Sequence, residues 1–193
     1  MTDDDNPGSG RPARSPEEWH NHARTLSLRW LGARSHTRAE LREKLIRKGI
    51  PETVANSVLE RLVNAKLIDD AEFAATWVRS RHTHNGRGRK ALAMELRRKG
   101  VSDPDAAQAL SSITDDDERS RAYALTAQKL ERSGRTNWAV PAERQSATRK
   151  LVGMLARRGY APSLAYSVVK QVVAESAGAD IELPGEETSE SDI

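Results

Sequence analysis

Apolar residues along this chain recur three and four positions apart, and one short frame of them is written three times. Leu41 and Leu45 are followed by Gly49, Leu92 and Leu96 by Gly100, and Leu151 and Leu155 by Gly159. Leucines four apart share one face of a helix, and a glycine four residues further on supplies a left-handed terminator. The helix after each glycine repeats as well. Aligned on the glycines, Ala55, Ala106 and Ala165 form one column, Leu59, Leu110 and Val169 a second, and Leu62, Ile113 and Val172 a third. Self-similarity at offsets of 51 and 59 residues indicates stacked supersecondary units rather than one large core.

Start signals divide these units into helices. Ser15-Pro16-Glu17-Glu18 reads as an N-cap, a proline at the first helical position and an acid at the third. It predicts a helix through Trp19, Ala23, Leu26, Trp30 and Leu31 to about Ala33. Thr37 to Glu40 reads as a second capping box before Leu41, and Pro51 opens a helix through Val54, Val58, Leu59 and Leu62. In the middle unit, Asp69 and Glu72 form a capping box, and helices are predicted over about 70–81, 89–99 and 104–113, with a polar break at 82–88. The acid run Asp115-Asp116-Asp117-Glu118 leads a helix to about Arg132. After a loop at 133–141, two more helices cover about 143–158 and 163–177. Nowhere does the pattern alternate with a strand's period, so the expectation is an all-α protein of nine helices. It divides into helical repeats at 15–66, 67–114 and 115–177, between expected disordered tails at 1–14 and 178–193.

Composition narrows the class. Aromatic residues make up 4% and charged residues 31% of the 193 positions, which suits small helical units. There is no cysteine, so disulfides and thiolate metal sites are excluded, and a reducing, cytoplasmic location fits. No apolar run approaches the roughly 18–20 residues of a membrane span, and no membrane partner is expected. The formal charge of +3 conceals an asymmetry: residues 17–177 hold 29 basic against 19 acidic side chains, while residues 178–193 carry six acids and no base. A body at +10 favours a polyanion such as nucleic acid, or an acidic groove on a partner.

No catalytic, metal or cofactor site is expected. The carboxylate clusters Asp69-Asp70-Glu72 and Asp115 to Glu118 could gather a divalent ion, yet both open helices, where acids cap the first turn and complement the macrodipole. His20/His22 and His82/His84 are two apart, a spacing that points the rings away from each other on a helix, and His36 stands alone. Gly86-Arg87-Gly88-Arg89-Lys90 lacks the GxxxxGK[ST] spacing of a phosphate loop and the strand before it. Trp30 and Trp77 fall on apolar helix faces and read as core, while Trp138 lies in a loop.

The basic residues carry more information. Each middle helix ends with two bases before its glycine: Arg47-Lys48, Arg98-Lys99 and Arg157-Arg158. Helix-dipole complementarity accounts for part of this. It does not account for Arg79, Arg81, Arg87, Arg89, Lys90 and Arg97, which concentrate in and around the middle unit. Lys90 and Arg97, seven apart, share a helix face away from Leu92 and Leu96 and are candidates to track phosphates.

With these residues in view, the chain resembles the RecX family of regulatory proteins of bacterial recombination. The likeness rests on the run LIDDAEFAATWVRSR from Leu67, then Gly86 or Gly88 with Leu92, Leu96, Lys99, Gly100 and Val101, preceded by Arg34-Ser35 and Glu40-Leu41, and covers about residues 19–176. The resemblance implies an elongated, curved tandem array of three three-helix repeats that is not an enzyme and is expected to be a monomer. It further implies binding to the RecA recombinase filament and to single- and double-stranded DNA. The implied outcome is inhibition of filament growth, ATP hydrolysis and strand exchange, modulating DNA repair and the SOS response. The twelve basic residues above are the candidate DNA- and filament-binding positions. Two other readings are a helical-repeat DNA-binding protein without a recombinase partner, and a metal-dependent nuclease using Asp69, Asp70 and Glu72.

Overall fold

The structure is a computed structural model that describes residues 14–133 and 138–177; residues 1–13 and 178–193 of the expected tails and residues 134–137 of the predicted 133–141 loop lie outside that range. Among the described residues there are nine helices and no strand: α1 (Pro16–Ala33), α2 (Arg38–Arg47), α3 (Glu52–Asn64), α4 (Asp70–Asn85), α5 (Arg89–Arg98), α6 (Asp103–Ser111), α7 (Asp115–Arg132), α8 (Pro141–Arg157) and α9 (Pro162–Ala177). The all-α architecture read from the leucine and glycine frames is the one observed.

Several helices start for a local reason. The Ser15 hydroxyl accepts the Glu18 N–H, and the Glu18 carboxylate accepts the Ser15 N–H at 2.7 Å, closing the capping box before Pro16. Thr114 and Asp117 close another at α7. The expected box at Thr37 is only half built. Thr37 takes the Glu40 N–H, but the Glu40 carboxylate turns to His36 and Lys99 instead of returning to the Thr37 backbone. At α4, Asp69 accepts the Glu72 N–H at 2.9 Å, and the helix runs on to Asn85, four residues past the expected end, so the polar break shrinks to Gly86–Gly88.

Helix ends follow the glycine frame. Gly49, Gly100 and Gly159 have φ of +77°, +71° and +90°. In the first copy the Ile50 N–H reaches the Leu45 carbonyl at 3.1 Å and the Gly49 N–H reaches Ile46 at 2.9 Å; in the third, Tyr160 and Gly159 do the same to Leu155 and Ala156. This is the two-bond ending in which the residue after the left-handed glycine folds back onto the last turn. Ile50, Val101 and Tyr160 are buried as a result.

By residue contacts the described chain forms two compact units. One comprises residues 14–73 with 99–102, and the other 74–98 with 103–177. In the first, α1, α2 and α3 pack on one another around Ala23, Leu41, Leu45, Ala55 and Leu59, all fully buried, with Trp19, Trp30 and Leu31 at the margin. In the second, α7 and α8 pack on α9 around Leu155, Ala165, Val168, Val169 and Val173, while α5 packs on α6. Trp138, unplaced from sequence, lies against this core half-buried. All six frame leucines are buried, at 5% exposure or less. The third-helix columns are less uniform, since Ala106 and Leu110 are only half-buried where their counterparts are closed off.

Candidate functional site

The basic candidates separate into two groups by what their side chains already hold. Arg81, on α4, donates Nε and Nη2 to the two carboxylate oxygens of Glu95 on α5, both at 3.0 Å. Arg87 approaches the same carboxylate at 3.2 Å, and the Trp77 indole donates to it at 2.9 Å. Burial pushes the Glu95 carboxyl up, but the hydrogen bonds from Arg81 and Trp77 and the two positive charges outweigh it and hold the group below its usual range. Bidentate guanidinium pairing of this kind is strong and directional.

Arg89 is bound more tightly still. Its backbone N–H and Nε reach the Glu118 carboxylate at 2.8 and 2.6 Å, and Nη2 pairs with Asp115. The acid run therefore does more than cap α7: Asp117 caps, Asp115 and Glu118 clamp Arg89, and Glu118 is buried. Lys99 ion-pairs with Glu40 at 2.7 Å. Arg158 donates to the Asn85 carbonyl at 2.8 Å, and Arg47 makes a loose exposed pair with Glu43 at 3.4 Å.

The second group is exposed. Lys48, Arg79, Lys90, Arg97, Arg98 and Arg157 lie on the surface, and the Arg79 guanidinium has only a 3.4 Å approach to the Thr76 hydroxyl. On α5 the division is plainest: Leu92 and Leu96 face inward, Glu95 is occupied by Arg81 and Arg87, and Lys90, Met94 and Arg97 face solvent, Met94 at 56% exposure. The helix thus presents cations around an apolar side chain, with its one acid already neutralised.

Glu40 anchors a second network, in the first unit. Its carboxylate takes hydrogen bonds from Lys99 and from Nδ1 of the buried His36, whose Nε2 faces the Lys44 ammonium at 3.1 Å. A ring nitrogen accepting from an ammonium is unprotonated, so His36 is neutral with its proton on Nδ1. Burial, the largest influence, holds the imidazole below its ordinary value.

One cationic feature was not legible in the sequence. A cleft of about 590 Å³ in the second unit is lined by Arg79, His82 and Thr83 of α4, Ser120 and Arg121 of α7, and Ser112. Each helix contributes a stripe at helical spacing, but nothing in a single sequence says that the two stripes face each other. Asp69 and Asp70 are engaged in the backbone: Asp69 caps α4, and Asp70 accepts the Arg38 N–H at 2.9 Å. Among the described residues no three His, Asp or Glu side chains gather as metal ligands, and no helix is long and apolar enough to cross a membrane.

The fold and this surface define an all-α protein built from three-helix units, with exposed cations beside others that are paired with carboxylates. Two family models match it, described as the first three-helix domain of RecX over residues 23–62 and the second over residues 69–110. The chain is 46% identical over 160 residues to the regulatory protein RecX of Mycolicibacterium smegmatis, covering 83% of this chain and 84% of that protein. It is 42% identical over 160 residues to the regulatory protein RecX of Amycolatopsis mediterranei, covering 83% and 88%. The crystal structure of RecX from Lactobacillus salivarius superposes with a TM-score of 0.70 at 21% identity over 81% of this chain and 97% of that one, a likeness of fold. The chain belongs to the RecX family of regulatory proteins.

Proposed function

We propose that this protein docks on the RecA recombinase filament and its DNA and restrains filament growth, ATP hydrolysis and strand exchange, thereby tuning recombinational repair and the SOS response in the cytoplasm. Membership of a regulatory family supports the reading, and so does the chemistry of α5, the observation that carries it. Lys90 and Arg97 stand exposed on one face, while the helix's acid, Glu95, is held by Arg81 and Arg87. Such a face attracts phosphates without cancelling its own charge. Lys48, Arg98 and Arg157, at the ends of equivalent helices, extend the same character to each repeat, and several weak contacts on one chain add to a firm hold. In this reading the protein acts by occupancy and catalyses nothing. Arg81, Arg87, Arg89 and Lys99 shape the surface, and the exposed bases make contact.

ATP turnover by RecA already assembled on single-stranded DNA, at saturating DNA, tests the reading. Added protein is expected to lower turnover and strand exchange, since a protein that docks on the filament acts on preformed filaments whereas a competitor for free DNA leaves them untouched. Undiminished turnover, with the protein shown by sedimentation to be on the filament, rejects inhibition and leaves plain DNA binding in its place.

A further inference from the structure

The second unit carries three arginines, Arg81, Arg87 and Arg89, that are each answered by a carboxylate. Arg79 and Arg121 are different. They line the cleft formed by α4, α7 and the residues that join α6 to α7, and neither pairs with a carboxylate among the described residues. The Nε of Arg121 is shut off from solvent with no acceptor within reach. A ligand in the cleft would therefore meet the terminal guanidinium nitrogens of that side chain rather than its Nε. The remaining lining adds the hydroxyls of Thr83 and Ser120 as donors, while the Ser112 hydroxyl donates to the Ala109 carbonyl at 2.7 Å and Nδ1 of His82 to the Arg87 carbonyl at 2.8 Å. The single acid, Asp117, is committed to the Thr114 N–H and hydroxyl at 3.0 and 2.7 Å.

We infer that this cleft binds a phosphate group, with Arg79 and Arg121 gripping it from the α4 and α7 sides and the serine and threonine hydroxyls completing its shell. Two guanidinium groups and two hydroxyls offer more donors than a planar carboxylate accepts, while a tetrahedral phosphate presents oxygens in several directions. At about 590 Å³ the cleft also exceeds a lone anion and falls in the range of sites that take a small organic molecule. A phosphate with its attached sugar fits that description, whether it belongs to a DNA strand or to a free nucleotide. The assignment rests on the DNA-contacting part of the proposed function and is independent of the recombinase.

Ser120→Asp tests it without disturbing the fold. Ser120 is exposed on α7, so the longer side chain meets no packing, yet the new charge enters the cleft. Gln128→Glu, an exposed position on the same helix outside the cleft, changes the net charge equally. With the full chain and a fluorescent oligothymidylate, Ser120→Asp is expected to weaken binding about tenfold or more, Gln128→Glu to leave it unchanged, and thymidine monophosphate to shift the amide resonances of Ser120 and Arg121. Displacement of the oligonucleotide by thymidine monophosphate at comparable concentration identifies the free nucleotide as the source; resistance to it identifies the strand. Equal losses in the two variants, or none in either, overturn the site in favour of diffuse attraction. Displacement from the wild type by an oligoglutamate peptide, with inorganic phosphate inert, overturns it in favour of an acidic protein segment. If the cleft fails while wild-type protein still slows filament ATP turnover, the proposed function stands; if turnover is untouched while Ser120→Asp still loses the oligonucleotide, the cleft stands alone.

Discussion

The hydroxyl of Thr37 donates to the main-chain carbonyl of Lys99 at 2.6 Å, across 62 residues of sequence. The same link recurs one repeat on, where the N–H of Gly88 donates to the carbonyl of Arg158 at 2.9 Å. The offsets that align the leucine frames also align these positions: 37 with 88, and 99 with 158. Carbonyls in the last turn of a helix have no partner within it. Here each receives a donor from the residues that open the middle helix of the preceding copy. Glycine makes the approach possible, because a Cβ on Gly88 would stand 2.6 Å from the Gly159 oxygen, and one on Gly100 would collide with the Ala39 side chain.

Three glycines with nearly the same backbone conformation should therefore respond differently to alanine. Gly49 has open space around it, so Gly49→Ala is expected to cost only the left-handed penalty of about 1–2 kcal/mol. Gly100→Ala and Gly159→Ala add collisions with Ala39 and Ala91 and should cost clearly more. Urea unfolding of the three variants checks the order, and equal losses would show that the close approaches relax freely.

The clamp on Arg89 predicts a contrast between two neighbouring acids. Glu118→Ala strips a buried acceptor from the Arg89 N–H and Nε and should cost about 1–3 kcal/mol. Asp115, on the same arginine, is 92% exposed, and Asp115→Ala should change stability by less than about 1 kcal/mol. Denaturant midpoints of the two variants decide it.

Stability should fall in acid in two stages. Burial holds His36 below 6.5 in the folded protein, so the unfolded chain takes up that proton first, and the stabilisation is complete above 6.5 and declines below it. For Glu40, burial pushes the carboxyl up, but hydrogen bonds from Lys99 and His36, with the charges of Lys99 and Arg34, bring it down to about 2. Its contribution is complete above 4.5 and is lost between 4.5 and about 2. His36→Gln, which keeps a donor for Glu40 and an acceptor for Lys44, should flatten the upper stage alone. Parallel curves of unfolding free energy against pH would remove His36 from the account.

Charge reversal on α5 separates contact from scaffolding. Lys90→Glu with Arg97→Glu should leave the melting temperature within a few degrees, weaken binding to DNA, and flatten the dependence of binding on salt, because fewer counterions are released. Arg89→Glu should lower the melting temperature as well, since it sets a carboxylate against Glu118. Salt titrations paired with thermal melts check both. An unchanged salt slope in the double variant would move the contact surface elsewhere.

Much of the fold is local and was legible for that reason. Ser15 with Glu18, the leucine pairs and the three left-handed glycines each signal within five residues, and each is built as read. What escaped depends on long-range pairing. Asp115 and Glu118 look like any acids at a helix start until Arg89, 26 and 29 residues away, is brought to them. Glu40 looks like half of a capping box until Lys99 arrives. The basic residues counted as one surface in sequence because their carboxylate partners are equally remote. Only the structure separates the braced Arg81, Arg87, Arg89 and Lys99 from the exposed Lys90 and Arg97, and brings Arg79 and Arg121 to the lining of one cleft.

The segment 99–102 belongs to the compact unit of residues 14–73, although α4 and α5 intervene. No single scission then parts this protein into two intact halves. A fragment ending after α3 would lose the acceptor for Thr37, the cation for Glu40 and the neighbour that covers Ala39, and a fragment beginning at α4 would carry those groups with nothing to meet. Dissection after the first repeat would leave a piece that keeps its core, Ala23 to Ile68, but loses the segment 99–102 that packs with it.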